Sequence, residues 1–474
     1  MLFNSLHFVI YFFITTVIYF LLPHRFRWLF LLAISCYFYM VFVPVYILIL
    51  FFTIVVDYFA GILIEQNPKH GRSLLAMSIV VNVSFLCFFK YFNFLNENLS
   101  MLLGTMDIQN PVPALTILLP IGLSFHTFQA MSYTIEVYRG NQKAERHFGI
   151  YALYVMFYPQ LVAGPIERPQ NMIHQFYQRV YFNYERVTEG CRMILWGLFK
   201  KVVIADRLAI YVDAVYNNPE HHSGISSLVA TIFFTFQIYC DFSGYSSIAL
   251  GTAKVLGIEL MENFRRPYLS TSIREFWSRW HISLSTWFRD YLYIPLGGSK
   301  VAVPLHIRNL VIVFLVSGLW HGANWTFIIW GALHAVYQTG ELIINKYILK
   351  KQKKEIPRSF IKAIPNYIIT FSLVSLAWVF FRANTVQDGF TIVANIITLK
   401  PGSLFVGFSA GFAYSILLIV FLMAAEFNYE YLNNKLSLIY SSKTTLRYAG
   451  YALLILVMLM IGVFNGGQFI YFQF

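Results

Sequence analysis

Charged residues are scarce in this sequence. Asp, Glu, Lys and Arg make up 12% of the 474 residues, whereas a typical soluble domain contains about 25%. No polar stretch is long enough to build a separate soluble unit, so a soluble multidomain protein is excluded. Hydrophobic residues instead reach 58% and aromatic residues 19%, as expected for helices that contact lipid and its interface. The composition therefore predicts an integral membrane protein.

Cysteine is also scarce, and the few acidic residues leave a formal charge of +13. Cys36, Cys87, Cys191 and Cys240 lie far apart and form no CxxC pair, so neither a disulfide framework nor a metal site is expected. The Lys and Arg residues lie in short loops between apolar runs, where the positive-inside rule places them. We therefore expect membrane lipids, and no nucleic acid, as partners.

Long apolar runs predict an all-α, polytopic membrane helical bundle, because only helices can span a bilayer with runs of this length. The first run lacks a basic n-region and a small-residue cleavage site, so it is interpreted as a retained helix. Several runs are shorter than the roughly 20 residues of a straight crossing, which predicts short, re-entrant or buried helices. The runs lie near 6–22, 28–45, 47–64, 74–92, 114–137, 149–165, 190–212, 225–250, 309–326, 328–348, 364–381, 408–425 and 448–465.

Basic loops alternate with loops that contain no Lys or Arg, which predicts an N-terminus on the outside. Segments 149–165 and 309–345 break this alternation. We interpret the first as a re-entrant hairpin or buried helix, and the second as re-entrant or as two crossings joined by a tight outer turn. The basic loops are 23–27, 65–73, 138–148, 166–189, 254–308 and 346–362, and the others are 43–46, 94–113 and 213–224.

The apolar segment 309–335 contains His321. An ionisable residue at membrane depth is costly and by default suggests a function, although one interhelical hydrogen bond could also satisfy it. Gly318 and Gly322 have the GxxxG spacing that lets another helix approach closely. His334 follows thirteen residues later and would lie over 90° around a continuous helix. Both histidines can face one site only if the helix breaks, which we expect near Gly331.

Segment 261–300 mixes arginines with aromatic residues and is too polar to span a membrane. One interpretation is an interfacial amphipathic segment that faces lipid phosphates. The other is that Arg279, Arg289 or their neighbours bind an anionic cofactor, such as the phosphates of coenzyme A or of a phosphopantetheine arm. His281 would then face the same cavity. The spacing leaves both interpretations open.

Asp241 lies inside an apolar run, where a carboxylate must be paired or hydrogen-bonded. We expect a structural ion pair with an arginine rather than catalysis. Two further motifs, 118–133 and 158–169, place Pro and Gly beside polar groups, which is typical of kinked or re-entrant backbone. His126, in the first motif, is expected to be a satisfied interior histidine.

Five stretches together resemble the membrane-bound O-acyltransferase family, and most closely its bacterial polysaccharide branch, which includes the membrane subunit of alginate O-acetyltransferase. They occur in the expected order over about 118–335, and their joint occurrence makes the resemblance specific. The stretches are LLPIGLSFHTFQAMSYTIEVYRG, YPQLVAGPIERP, YCDFSGYSSIALG, ENFRRPYLSTSIREFWSRWHISLSTWFRDYLYIPLGG and GLWHGANWTFIIWGALH.

The resemblance implies that His321 is the invariant catalytic histidine and that His281 is the second histidine, in the RWH motif. It implies a helical bundle around a central cavity or tunnel. The donor would be an unbound co-substrate, a thioester of acetyl-CoA or of acyl-carrier phosphopantetheine, arriving from the cytoplasm. The expected single domain spans 1–474, with N-terminal helices in 1–113, a catalytic core in 114–348 and C-terminal helices in 349–474.

The corresponding mechanism has neutral His321 accept the proton of an acceptor hydroxyl that attacks the acyl carbonyl. Asn324, Trp325 and His281 are candidate donors to the oxyanion. The acyl group, acetyl in the first place, would reach an extracytoplasmic polysaccharide directly or through an extracytoplasmic acyltransferase partner. The location would be the bacterial inner membrane.

Two alternatives stay open within the family, D-alanyl transfer to teichoic acid and peptidoglycan O-acetylation. An alternative of another class is a polysaccharide or lipid transporter, in which intramembrane polar residues would line a path. A transporter should tolerate a conservative change at His321 but fail when Asp241 or the arginines change. An acyltransferase should lose activity with His321→Ala and still reach the membrane.

Overall fold

The computed structural model describes residues 1–116, 120, 122–162, 164–348, 360–407, 409–464 and 469–470. In this part of the chain all regular structure is helical. Eight of the described helices are long and apolar enough to cross a membrane, and two further apolar helices are shorter. The predicted all-α, multi-pass architecture is therefore confirmed.

Some of the predictions concern residues outside the described ranges. Three of the four residues 118–121 at the start of the first Pro/Gly motif fall there, as does one residue of the second motif. The lysine-rich part of the loop 346–362 is also outside, and its lysines are Lys350, Lys351, Lys353 and Lys354.

The chain forms two compact units. The first comprises Met1–Leu195 and Ser246–Met261, and the second comprises Trp196–Tyr245 and Glu262–Phe474. The helices of the first unit are Leu6–Leu21, His24–Met40, Ile47–Gln66, Gly71–Leu86, Phe92–Gly104, Leu123–Tyr138, Phe148–Met156, Tyr158–Leu161 and Pro169–Met172. Short 3₁₀ and π turns join them at Pro44–Tyr46, Pro68–His70, Cys87–Tyr91 and Ile173–Tyr177.

The second unit contains most of the chemistry-bearing motifs. Helices Tyr184–Leu198 and Gly224–Val255 contribute residues to both units. The remaining helices of the second unit are Asp206–Tyr216, Ile273–Arg279, Ile282–Phe288, Val303–His321, Trp325–Ile343, Phe360–Arg382, Val386–Ile397, Ser409–Leu432 and Thr444–Ile461. Its 3₁₀ and π turns are Phe199–Ala205, Pro219–His221, Pro267–Leu269, Arg289–Tyr293, Ile344–Ile348 and Leu438–Tyr440.

The segment that broke the charge alternation in the first unit is a buried helix. Phe148–Met156 is buried from its second residue onward, and the short helix Tyr158–Leu161 follows it and is also buried. The predicted interior position of His126 is likewise confirmed, since its Nε2 lies 2.6 Å from the Thr53 hydroxyl. These segments form a core of the first unit and carry none of the predicted catalytic residues.

Candidate active site

Two helices meet at His321. Val303–His321 ends at this residue because Gly322 adopts an extended conformation, and Trp325–Ile343 begins after Asn324, whose side-chain oxygen accepts the Thr326 N–H at 3.0 Å. An asparagine at this position stabilises a helix start. The chain therefore breaks at Gly322–Asn324, and the expected break at Gly331 is wrong, since Gly331 lies within a continuous helix. Of the two interpretations of segment 309–345, two helices joined by a tight turn are confirmed, and the position of this turn on the outer side stays a prediction.

Glycines let these two helices pack backbone against backbone. A Cβ on Gly318 would lie 2.4 Å from the Phe327 carbonyl oxygen, and one on Gly331 would lie 2.4 Å from the Phe314 carbonyl oxygen. Any larger side chain would push the helices apart. The close approach predicted from the GxxxG spacing is confirmed, and it holds His321 firmly against the neighbouring helix.

The imidazole of His321 is enclosed by aromatic rings. It is 3% exposed, and its ring centroid lies 5.0 Å from that of Trp320, 4.9 Å from Trp330 and 5.2 Å from Phe381. Such an apolar enclosure strengthens each polar contact that the ring makes. The role of His321 as the catalytic base stays a prediction.

His281 is fixed by the amide of Asn263. The Asn263 Oδ1 accepts the Ser283 N–H at 3.3 Å and the Ser283 hydroxyl at 2.9 Å, which sets the orientation of the amide. The same oxygen lies 3.0 Å from His281 Nδ1, so Nδ1 carries the proton and donates, and Nε2 carries the lone pair. His281 is fully buried, and burial lowers its pKa to about 3. It is therefore a neutral ring whose Nε2 accepts rather than donates.

The backbone at His281 is strained. Its φ is +42°, in the left-handed region that residues with a Cβ rarely adopt. Its side chain packs against Phe242 with ring centroids 4.6 Å apart and against Trp320 at 6.3 Å. Trp320 also contacts His321, so both predicted catalytic histidines pack against the same indole ring. Strain of this kind is often found at functional sites.

His334 lies in the same aromatic cluster. It is fully buried, and its Nδ1 lies 3.3 Å from the indole Nε1 of Trp277. Because an indole N–H can only donate, Nδ1 accepts and the proton of His334 is on Nε2. The Trp330 ring lies between the two histidines, 4.9 Å from His321 and 5.0 Å from His334. The break at Gly322–Asn324 thus brings both histidines to one cluster.

The two candidate donor-binding arginines differ in their surroundings. Arg279 is 16% exposed and pairs at 2.9 Å with both Glu275 and Glu430. Burial alone would raise the pKa of Glu275, but hydrogen bonds from Thr271 and the charge of Arg279 lower it below its usual value. Arg289 is 58% exposed and pairs with Asp290 at 2.7 Å. Donor binding by either arginine stays a prediction.

Asn324 and Trp325 lie at the turn after His321. The Asn324 side chain caps the next helix with its oxygen, and its nitrogen donates to the Asn384 carbonyl at 3.2 Å. Trp325 is 51% exposed. Their suggested role as oxyanion donors stays a prediction, but the amide of Asn324 is already used on both sides.

Asp241 forms the expected ion pair, but its partner is a lysine. Lys201 Nζ lies 2.7 Å from Asp241 Oδ1 and 2.8 Å from Asp206 Oδ1, and all three side chains are at most 5% exposed. The Ile470 N–H donates to the other Asp241 oxygen at 2.7 Å. The prediction of an arginine partner was wrong.

The sequence does not single out several residues around the two histidines. Trp330 lies four residues before His334 on one helix, a spacing that places both on one face and could have linked them. Asn263 gave no signal because His281 lies 18 residues away, and Lys201 gave none because it contacts Asp241 from another helical segment. Trp378 stacks on Trp330 with ring centroids 5.7 Å apart, but it lies in an apolar run where nothing distinguishes it from a core residue.

The comparisons with known proteins agree on one family. The model of the membrane-bound O-acyltransferase family matches residues 69–381. A probable alginate O-acetylase of Azotobacter vinelandii is 37% identical over 390 residues, covering 82% of this chain and 76% of the relative. The corresponding protein of Pseudomonas aeruginosa is 39% identical, covering 78% and 69%. A peptidoglycan O-acetyltransferase of Helicobacter pylori is 35% identical, covering 79% and 75%.

The helices and the buried histidines describe a multi-pass membrane protein with a candidate active site inside its second unit. The chain belongs to the membrane-bound O-acyltransferase family, and it is an O-acyltransferase. The resemblance drawn from the five motifs is confirmed.

Proposed function

We propose that this enzyme transfers an acetyl group from a cytoplasmic thioester to hydroxyl groups of an extracytoplasmic polysaccharide, with His321 as the general base. The observation that carries the proposal is the burial of His321 in an aromatic enclosure at a helix break, within the part of the chain that the family model matches. The acetylase names of the relatives support acetyl as the acyl group.

The reaction has two proton transfers. Neutral His321 accepts the proton of the acceptor hydroxyl as the oxygen attacks the thioester carbonyl carbon, and the carbonyl electrons move onto oxygen. The tetrahedral intermediate then collapses, the C–S bond breaks, and the imidazolium returns its proton to the thiolate. An ester and a free thiol result, and His321 is neutral again. Such a base contributes roughly 10²- to 10⁴-fold to the rate.

His281 has a separate role in this proposal. Its Nδ1–H is held by Asn263, so Nε2 offers a lone pair to the hydroxyl or thiol proton of a substrate. A neutral ring with one fixed tautomer orients a substrate without adding charge to an apolar site. We assign His281 as a second catalytic residue on this basis.

The membrane topology is part of the same proposal. The alternation of basic loops supports an extracytoplasmic N-terminus in a bacterial inner membrane. Transfer then proceeds either directly to the polysaccharide or through an extracytoplasmic acyltransferase partner. The likeness to a peptidoglycan O-acetyltransferase favours peptidoglycan as a second candidate acceptor.

The test compares cells that contain the wild type with cells that contain His321→Ala. We expect O-acetyl esters on exopolysaccharide or peptidoglycan to fall to the level of a deletion strain, while the variant reaches the membrane in normal amounts. Purified protein should lose at least 10²-fold in acetyl transfer from acetyl-CoA. A variant that is correctly inserted and keeps the wild-type rate would refute the role of His321. The identity of the polymer that loses its esters names the acceptor.

A further inference from the structure

The cluster around His321 contains three N–H groups that the fold itself does not use. They are Nε1 of Trp330, Nε1 of Trp378 and Nε2 of His334. None of them has a hydrogen-bond acceptor among the residues that the structure describes. All three side chains are completely buried, so bulk water does not satisfy them either. Buried donors without an acceptor are rare in native proteins, and each calls for an explanation.

These donors share one small volume with the proposed base. The Trp330 ring lies 4.9 Å from His321, 5.0 Å from His334 and 5.7 Å from Trp378, measured between centroids. The Trp378 ring lies 6.4 Å from His334. We name this group of four residues, His321, Trp330, His334 and Trp378, the imidazole–indole cluster. The cluster places a candidate base beside three hydrogen-bond donors within an apolar enclosure.

The proton on His334 is directed by its neighbour. The Trp277 N–H donates to Nδ1 at 3.3 Å, which leaves the single proton of the neutral ring on Nε2. The interaction therefore turns His334 into a donor, just as the two indoles can only donate. A cluster with three obligatory donors matches a ligand that presents an acceptor, and an oxyanion is the strongest acceptor that acyl transfer generates.

We propose that Trp330, Trp378 and His334 form the oxyanion hole for the thioester carbonyl. As the acceptor hydroxyl attacks and gives its proton to His321, the carbonyl oxygen gains negative charge and accepts these N–H groups. When the C–S bond breaks, the electron pair on oxygen re-forms the carbonyl. These residues are catalytic in the strict sense, since they touch the reacting oxygen. The inference rests on the proposed function, because it takes His321 as the base.

The three buried donors fit an oxyanion hole better than His281, Asn324 and Trp325, which the sequence suggested for this role. The His281 proton is held by Asn263, and the amide of Asn324 caps a helix and donates to Asn384. Trp325 is 51% exposed, so its indole is not enclosed as the three cluster donors are. The three buried donors are preorganised in a dry site, where such bonds are most effective.

Tryptophan offers a clean test, because phenylalanine keeps an aromatic ring and removes the N–H. The variants Trp330→Phe and Trp378→Phe are compared with Trp196→Phe, which changes a tryptophan that stacks on Phe199 in the same unit. The assay uses purified protein, acetyl-CoA and chemically deacetylated exopolysaccharide. We expect kcat to fall about 10²- to 10³-fold in each cluster variant, with KM for acetyl-CoA changed less than threefold. Trp196→Phe should keep the wild-type kcat.

His334 provides a rescue experiment. In His334→Gln the amide can still accept from Trp277 and donate near the position of Nε2, whereas His334→Leu can do neither. We expect His334→Gln to keep at least a tenth of the wild-type kcat and His334→Leu to lose about 10²-fold. Infrared spectra of bound ¹³C-carbonyl acetyl-CoA should show a lowered carbonyl frequency in the wild type that returns towards the solution value in Trp330→Phe. A frequency equal in both proteins contradicts the assignment.

The outcomes separate this inference from the function on which it rests. If His321→Ala is inactive while both cluster tryptophan variants keep the wild-type kcat, the oxyanion hole is wrong and the base stands. If the tryptophan variants lose thermal stability but keep kcat, their N–H groups are structural and the inference also fails. If His321→Ala keeps its rate, the proposed function fails first.

Discussion

Two of the buried polar clusters in the second unit differ in how their polar atoms are used. In the ion-pair cluster of Lys201, Asp206 and Asp241, one ammonium lies between two carboxylates at 2.7 and 2.8 Å. In the imidazole–indole cluster, three N–H donors find no acceptor among the described residues. The first cluster matches its charges with one another, whereas the second presents three N–H groups that can donate to a ligand. The comparison teaches that a group of buried donors beside a candidate base, rather than a buried charge, is what the proposed reaction uses.

The largest effect should come from breaking the ion-pair cluster. Lys201→Met leaves Asp206 and Asp241 buried without a cation, and removal of one partner from a buried pair typically costs about 3–5 kcal/mol. We expect little folded protein in the membrane and a strongly lowered melting temperature. The measurements are size-exclusion profiles of the detergent extract and thermal unfolding.

The matched control is Lys254→Met in the first unit. Lys254 pairs with Glu189 at 2.9 Å, but both side chains are partly exposed, and such pairs contribute roughly 0–1 kcal/mol. The control should therefore fold normally. If Lys201→Met folds with the wild-type melting temperature and loses only acyl transfer, the ion-pair cluster takes part in the reaction. The contrast between a structural ion-pair cluster and a reacting imidazole–indole cluster would then be wrong.

An intermediate effect should come from moving the imidazole–indole cluster without changing its chemistry. In Gly331→Ala the new Cβ would lie 2.4 Å from the Phe314 carbonyl oxygen, so the two helices that carry His321 and Trp330 must separate. A misplacement of about 1 Å can cost roughly 10²-fold in rate. We expect that loss in kcat, measured by acetyl transfer from acetyl-CoA, with folded protein still present.

Gly340→Ala supplies the control on the same helix. Its Cβ would meet nothing within 4 Å, and alanine favours a helix interior over glycine by about 1 kcal/mol. This variant should keep its activity and gain slightly in stability. A Gly331→Ala enzyme with unchanged kcat would show that the reaction tolerates displaced helices, and that preorganisation of the cluster matters little.

The sequence predicts the helices and the motif residues of this molecule better than it predicts which side chains contact one another. The length of the apolar runs specifies membrane helices, and the motifs around His321 and His281 specify the family, because both signals are local. The helix break was expected at Gly331 but lies at Gly322–Asn324. A glycine can end a helix or allow close packing, and only the neighbouring backbone decides which.

Partners that are distant in sequence could not be predicted. Asp241 needed a cation, yet its own residue type cannot specify whether Lys201 or an arginine supplies it. Trp378 joins the site from a helix more than fifty residues after His321, within a run of ordinary apolar character. Unmatched donors become visible only when every other hydrogen bond of the interior is known, which requires the three-dimensional structure.

The smallest expected effect is a pH dependence of stability that comes from the buried ring of His281. Burial lowers the pKa of His281 from its usual 6.5 to about 3. Below pH 6.5 the unfolded chain therefore binds a proton at His281 that the folded chain does not bind. The free energy of unfolding consequently falls as the pH falls. At pH 5 this linkage amounts to about 2 kcal/mol, from roughly 1.4 kcal/mol per pH unit. His281→Gln removes it, so the difference in melting temperature between wild type and variant should shrink from pH 8 to pH 5.

The control for this prediction is His221→Gln, which replaces an exposed histidine of the same unit. Its melting temperature should follow that of the wild type across the whole range. A gap between wild type and His281→Gln that stays constant with pH would mean that the folded and unfolded chains bind the His281 proton equally. Burial would then not keep this ring neutral at pH 5, and its assignment as a neutral acceptor would fail.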